Sequence, residues 1–406
     1  MPAPLGSLSS ALSSFEFATP ERVVFGPGVV SKAGTLAASL ANPVHPADRA
    51  GTPVLLVTGR DPRRADPVRE SLRRAGLAWI EFAVNGEPTI AEAQTGAQRA
   101  IDSGAACIVS CGGGAVIDAG KAISALATHP GDPLRFLEII GQALPLQNAP
   151  LPFMAVPTTA GTGAEATRNA VLTSPEHSLK VSLRSPLMVP KVALIDPELA
   201  LDLPPDLTAC TGLDALTQLL EPWVGSKANG LTDACCREGL PRMARSLSRA
   251  MADGHDLEAR SDLAFGAFLS GLALAHSGLG AVHGLAGPIG GRFRAPHGAV
   301  CAALLGPVWR ANVAALRAIR PDHPALERYR QAAGWLTVSS GASIDDGHRW
   351  ITESVAGWPV PRLSRYGISA TDFPALIQAA QASSSMKGNP IRLPDAVLGE
   401  ALSEAL

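Results

Sequence analysis

A chain of 406 residues carries 34 Lys and Arg against 36 Asp and Glu, a formal charge of −2, with 46% hydrophobic and 17% charged residues. That balance, with no basic run, speaks against a nucleic-acid or membrane-surface partner and describes an ordinary globular chain with room for two cores. Six cysteines without a CxxC pair point to reduced, mostly buried thiols. The N-terminal "MPAPLGSLSSALSSFEF" lacks the basic start and continuous apolar core of a signal peptide. No stretch approaches the roughly 18 uncharged apolar residues of a membrane span, so the expectation is a cytoplasmic enzyme acting on a small molecule.

In chain order, "RVVFG" (22–26), "PVLLVTG" (53–59), "AWIEFAV" (78–84), "ACIVSCGGG" (106–114), "PFMAVPTT" (152–159) and "KVALIDP" (191–197) read as strands. Helical patterns such as "ADPVRESLRRAG" (65–76) and "TIAEAQTGAQRAIDSG" (89–104) lie between them, and the Pro-rich, polar segment 41–52 reads as a surface excursion. This alternation predicts a mostly parallel sheet with helices on both faces. After Pro197 the strand signals stop and helical periodicity runs to the end, which predicts an α/β domain over 1–197 and an all-α domain over 198–406. A cleft between such halves is a favoured place for ligands.

The glycines 112–114 in "CIVSCGGGAVIDAGKAISAL" join a strand to a helix. Gly112, Gly113 and Gly114 permit positive φ and close approach of a ligand, and the helix start behind them favours a phosphate. The competing reading is a tight corner and nothing more. In "AVPTTAGTGAEATRNAVLT" (155–173), Thr162 and Glu165 have capping-box spacing for a new helix. The loop also offers hydroxyls and amides as a second wall for a dinucleotide.

In the helical half, "GLDALTQ" (212–218) sets Asp214 and Gln218 four apart, on one face of a greasy helix. A carboxylate buried there needs a cation or hydrogen bonds. His283 and His297 lie fourteen residues apart in a glycine-rich run, His297 just after Pro296 in a helical first turn. If Asp214 meets them, one oxygen and two imidazoles would suit a divalent metal with an open position. Cys235 and Cys236 read as packing.

Together with "GGGAVIDAGK" (112–121), "PTTAGTGAEAT" (157–167), "LIDPEL" (194–199), "GLGAVHGLAGPIGG" (278–291), "PHG" (296–298) and the C-terminal "GNPIRLPDAVLGEAL", these motifs resemble the iron-containing (group III) alcohol dehydrogenase superfamily, with some likeness to its maleylacetate reductase branch. The resemblance implies the dehydroquinate synthase-like fold, a nucleotide-binding α/β domain and a helical domain with the active site between, and a homodimer. It implies an NAD(P)-dependent hydride transfer between nicotinamide and an alcohol or carbonyl substrate, with Fe2+ or Zn2+ polarising the oxygen. By the same resemblance Gly112, Gly113, Gly114, Asp118 and Lys121 line the pyrophosphate region, Thr158, Thr159 and Thr162 the rest of the cofactor channel, and Lys180 the nicotinamide. Asp214, His283 and His297 match three metal-ligand positions.

Two departures stand out. Gln218 occupies the place of a fourth ligand, usually His, where an amide oxygen could still approach a metal. Gly287 replaces a His assigned to proton handling, a role for which His276, two turns before His283, is the candidate substitute. Without metal, Gln218, His276 and Lys180 would have to hydrogen-bond the substrate oxygen. Where NAD-preferring relatives often carry an acid this chain has Gly59, followed by Arg60 and Arg63, which favours NADP(H) over NAD(H). A metal-independent reductase of the same fold, or a lyase or cyclase of the dehydroquinate synthase type, are the alternatives.

Overall fold

The computed structural model describes residues 14–41, 52–177 and 179–406; most of the N-terminal segment and of the excursion 41–52 lie outside the described residues. Six strands, β1 (Arg22–Phe25), β2 (Val54–Thr58), β3 (Trp79–Ala83), β4 (Cys107–Gly112), β5 (Phe153–Pro157) and β8 (Val192–Ile195), form one parallel sheet in the order β1-β8-β5-β4-β2-β3. All six fall on the segments read as strands. Their near-continuous apolar character follows from burial on both faces. One face (Leu56, Val109, Met154, Leu194) packs on α1 (Ala33–Ala41) and α2 (Asp66–Arg74). The other (Leu55, Val57, Ile108, Phe153) packs against α4 (Gly114–Ala127), beside α3 (Ile90–Asp102). Thr89 and Glu92 close a reciprocal capping box at the start of α3.

The order of strands reverses between β2 and β4. Connections leaving their carboxyl ends diverge there and open the crevice in which such sheets bind ligands. Gly59 and the turn at 112–114 line it: a Cβ on Gly59 would sit 3.5 Å from Val116 of α4.

One element pair was not anticipated. Asn169–Ser174 (β6) and Leu179–Arg184 (β7) form an antiparallel hairpin outside the main sheet. Its alternating burial is the signature of a half-buried ribbon, and Lys180 stands on β7.

From Pro205 the chain is helical: α5 (Pro205–Val224), α6 (Gly230–Ala252), α7 (Leu257–Ser277), α8 (Ala281–Phe293), α9 (His297–Ile319), α10 (Pro324–Leu336), α11 (Ile344–Gly357), α12 (Phe373–Ala382) and α13 (Asp395–Ala405). One apolar cluster draws on α5, α6, α7 and α10, a second on α8, α12 and α13; α9 contributes to both. Contrary to the sequence reading, α9 is long and apolar enough to match a membrane span, but 78% of its apolar window is buried inside the protein, as in a core helix.

Candidate metal and cofactor site

The turn after β4 is tight because side chains would not fit. A Cβ on Gly112 would meet Val116 at 2.6 Å, one on Gly113 Thr159 at 3.3 Å, and one on Gly114 Thr162 at 2.6 Å. None of the three has positive φ, so the expected conformational reason is corrected: close approach selects glycine here. The glycines and the threonine loop are two walls in contact. Thr159 and Thr162 are partly exposed, whereas Thr158 is buried at the end of β5.

The anticipated capped helix at 162–165 is absent. Thr162 Oγ1 accepts the Ala164 N–H at 3.3 Å, and only a single 3-10 turn, Ala164–Ala166, follows Gly163. Gly163 is left-handed (φ +58°) and lies backbone to backbone with Gly271 of α7, while Gly161 abuts Thr211 of α5. This contact leaves no length for a helix, and it joins the cofactor loop to the helical half.

Lys121 departs from expectation. It is 1% exposed and donates to Ala164 O at 3.0 Å and Thr167 Oγ1 at 2.8 Å. It also pairs with Asp118 at 3.1 Å. Placed under the 164–169 loop, it is a structural staple and cannot face a pyrophosphate. Asp118 is partly exposed and accepts the Val171 N–H. Burial lifts the carboxyl of Asp118, and lifts that of Glu165 to about 7; Lys121 is pushed down by the same cause.

At the crevice's other side Arg63 chelates Asp61, with bonds of 2.9 and 3.0 Å, so its charge is partly neutralised. Arg60 is exposed and makes no ion pair among the described residues.

In the helical half three elements converge. Asp214, Gln218 and Glu221 share one face of α5, at the spacing of successive turns, and all three are buried. His283 enters from the first turn of α8 and His297 from the first residue of α9. The two rings lie 5.3 Å apart between centroids. Asp214 Oδ1 is 3.4 Å from His283 Nε2 and 3.7 Å from His297 Nε2.

Sequence reading missed Glu221. Its Oε2 accepts from His283 Nδ1 at 2.7 Å and its Oε1 from the Val282 N–H at 2.7 Å, so one carboxylate caps α8 and fixes the imidazole. The spacing from Asp214 was the available signal, obscured by the adjacent Pro222. With Nδ1 committed, Nε2 of His283 faces Asp214, and both Nε2 and Oδ1 are buried without a hydrogen bond. Burial opposes ionisation of Asp214, but His297 and His283 hold its carboxyl below the ordinary range. Burial likewise disfavours charge on His283, yet Cys301, Glu221 and Asp214 raise it well above its ordinary value; His297 is lowered, by burial first.

Gln218 has its oxygen engaged elsewhere: Oε1 accepts from Ser270 Oγ of α7 at 3.0 Å. His276 is elsewhere. Its ring stacks on Phe17 at 4.1 Å and Nε2 bonds the backbone of Ala18, so the expected substitute for proton handling is corrected to an anchor for the N-terminal segment. Two helical turns after His276 the chain has broken at Gly278 and bent by 98°, so the assumed shared face does not exist. Gly287 is exposed with open space around its Cβ position, one turn beyond His283. Lys180 pairs with Glu87 at 3.1 Å and its Nζ comes within 3.4 Å of where a Cβ on Gly290 of α8 would sit.

Comparison with known proteins follows this division of the chain. The iron-containing alcohol dehydrogenase model matches residues 20–197, and the C-terminal model of the Fe-containing alcohol dehydrogenase family matches 208–406. Choline dehydrogenase of Bacillus subtilis (strain 168) is 34% identical over 329 residues, 80% of each chain. A 1,3-propanediol dehydrogenase of Citrobacter freundii is 31% identical over 404 residues, 96% of this chain and 98% of its own. The crystal structure of a 1,3-propanediol oxidoreductase superposes with a TM-score of 0.87 at 30% identity, covering 97% of this chain and all of the other. On sequence, fold and the arrangement of its two halves, the chain belongs to the iron-containing alcohol dehydrogenase family of oxidoreductases.

Proposed function

We propose that this protein catalyses reversible hydride transfer between a nicotinamide dinucleotide and a small alcohol or carbonyl compound, at a divalent metal held by Asp214, His283 and His297. The observation that carries the reading is the pair of buried ligand atoms without a hydrogen bond, Asp214 Oδ1 and His283 Nε2, turned on one another at 3.4 Å. A carboxylate and two imidazoles are the donor set of an open metal site, so the residues present fit the ion. When bound, the metal acts as a Lewis acid toward the substrate oxygen while the nicotinamide gives or takes the hydride.

The chain's own residues do the rest. Asp214 brings the negative charge, and Glu221 sets the tautomer and direction of His283. The Gly112–Gly114 turn and Thr159 and Thr162 shape the dinucleotide wall, with the start of α4 toward its phosphates. Gly59 leaves room, and Arg60 free charge, for a 2′-phosphate; with Arg63 engaged by Asp61, Arg60 carries the preference for NADP(H). Lys180, paired with Glu87, lies close enough to His297 for both charges to act on it, and stands at the position of the lysine expected beside the nicotinamide. Residues 1–197 thus serve the cofactor and 198–406 the metal and substrate.

Elemental analysis of the purified protein and of Asp214→Ala, with carbonyl reduction assayed on NADH and NADPH, tests this. Metal in the first protein and none in the second is expected, with NADPH preferred. Equal metal content in both, or none in either, would overturn the metal assignment; dinucleotide binding without net turnover would overturn the reductase reading.

A further inference from the structure

α9 offers the pocket two side chains. His297 opens the helix and Cys301 follows one turn later on the same face. The Cys301 thiol is fully buried and its Sγ lies 3.6 Å from His297 Nε2. Asp214, His283, His297 and Cys301 form a group whose ligand atoms all fall within 4.8 Å of one another.

The spacing has a geometric meaning. With bonds of about 2.0–2.2 Å to nitrogen and oxygen and about 2.3 Å to sulfur, the edges of a tetrahedron come to roughly 3.3–3.6 Å. Three of the six edges here are 3.4 Å (Asp214 to His283), 3.6 Å (Cys301 to His297) and 3.7 Å (Asp214 to His297), and the other three lie within 4.8 Å. Gln218, at the position of the missing histidine, has its oxygen engaged by Ser270.

We propose that Cys301 is the fourth protein ligand of the metal centre, taking the place left by Gln218, and that its sulfur makes this a centre suited to zinc. The inference rests on the metal-site reading given above. As the sulfur–metal bond forms, the S–H bond breaks, its electron pair goes to the metal, and the proton leaves to solvent. Thiolate in place of an imidazole softens the donor set, which favours zinc. Of the site's histidine and aspartate side chains His297 is the most exposed, 35% against 4% for His283 and 2% for Asp214, so the pocket opens on that side.

X-ray absorption on the full-length, zinc-loaded protein reads the ligand directly. A sulfur shell at about 2.3 Å beside nitrogen and oxygen at about 2.0–2.1 Å is expected. It should vanish in Cys301→Ala and in Cys301→Ser, each checked for native circular dichroism. Zinc affinity of Cys301→Ser should fall by more than about tenfold, beyond the least that outer-sphere changes produce. Zinc held by light atoms only, identically in the parent and both variants, overturns the role of Cys301 and leaves the metal site standing. Failure of the parent protein to take up zinc overturns both.

Discussion

Beside the glycine turn of the sheet, the buried cation of Lys121 finds its partners within the protein. Lys121 is saturated by two carbonyls, a hydroxyl and Asp118, and what faces the crevice is backbone and small residues. At the junction of α5, α8 and α9 the potential ligand atoms Asp214 Oδ1 and His283 Nε2 are buried without a hydrogen bond. The first region is a mould, whose specificity is shape; the second is an incomplete electrostatic set, whose specificity is charge and donor chemistry. Substitutions should therefore act on stability in one and on ligand affinity in the other.

The largest effect should come from Lys121→Met. It leaves the partly exposed Asp118 and the carbonyls of Ala164 and Asn169 without their cation, a loss of about 3 kcal/mol, at the low end for a broken buried pair. Urea unfolding should show it, with metal content of the folded fraction unchanged; a metal loss would break the contrast. Next comes Glu165, whose folded pKa of about 7 exceeds its ordinary 4.5. Folding favours its protonated form, so this contribution is fully present below pH 4.5, is lost as pH rises through about 7, and stays lost above. Glu165→Gln should stabilise the protein relative to the parent by about 3 kcal/mol at pH 8 and hardly at all near pH 4. Parallel unfolding curves at both pH values would remove Glu165 from the ledger of strained groups.

Glu221→Gln is the smallest of the three and belongs to the other region. The amide keeps the packing but weakens the charge-assisted bond to His283. Metal affinity should fall about 10–100-fold, while unfolding of the metal-free protein shifts by less than the Lys121 variant. Competition with a chelator measures it, and an unchanged affinity would mean that α8 capping is the residue's whole role.

Much of this could be read in the chain because its signals are local. Apolar β-branched runs marked all six strands of the parallel sheet, and "GLDALTQ" with two histidines marked the three elements that converge. What escaped depends on through-space relations. Nothing adjacent to Lys121 says that a loop forty residues on will lie over it. Cys301 looks like any small buried apolar residue until its turn of α9 is set against His283. His276 was misplaced because a regular helix was extended across Gly278, where the chain corners. The β6–β7 hairpin was overlooked between two stronger strands, although its alternation was there to be counted.

The corner at Gly278 also ties the halves together. His276, on its near side, clasps Phe17 and Ala18 just before the chain becomes the edge strand β1, and His283 hangs from its far side. The edge strand of the sheet and the α7–α8 elbow are therefore held to one another through residues 17 and 18. The same few contacts thus fasten the approach to β1 onto the helical half, at a distance from the reacting atoms.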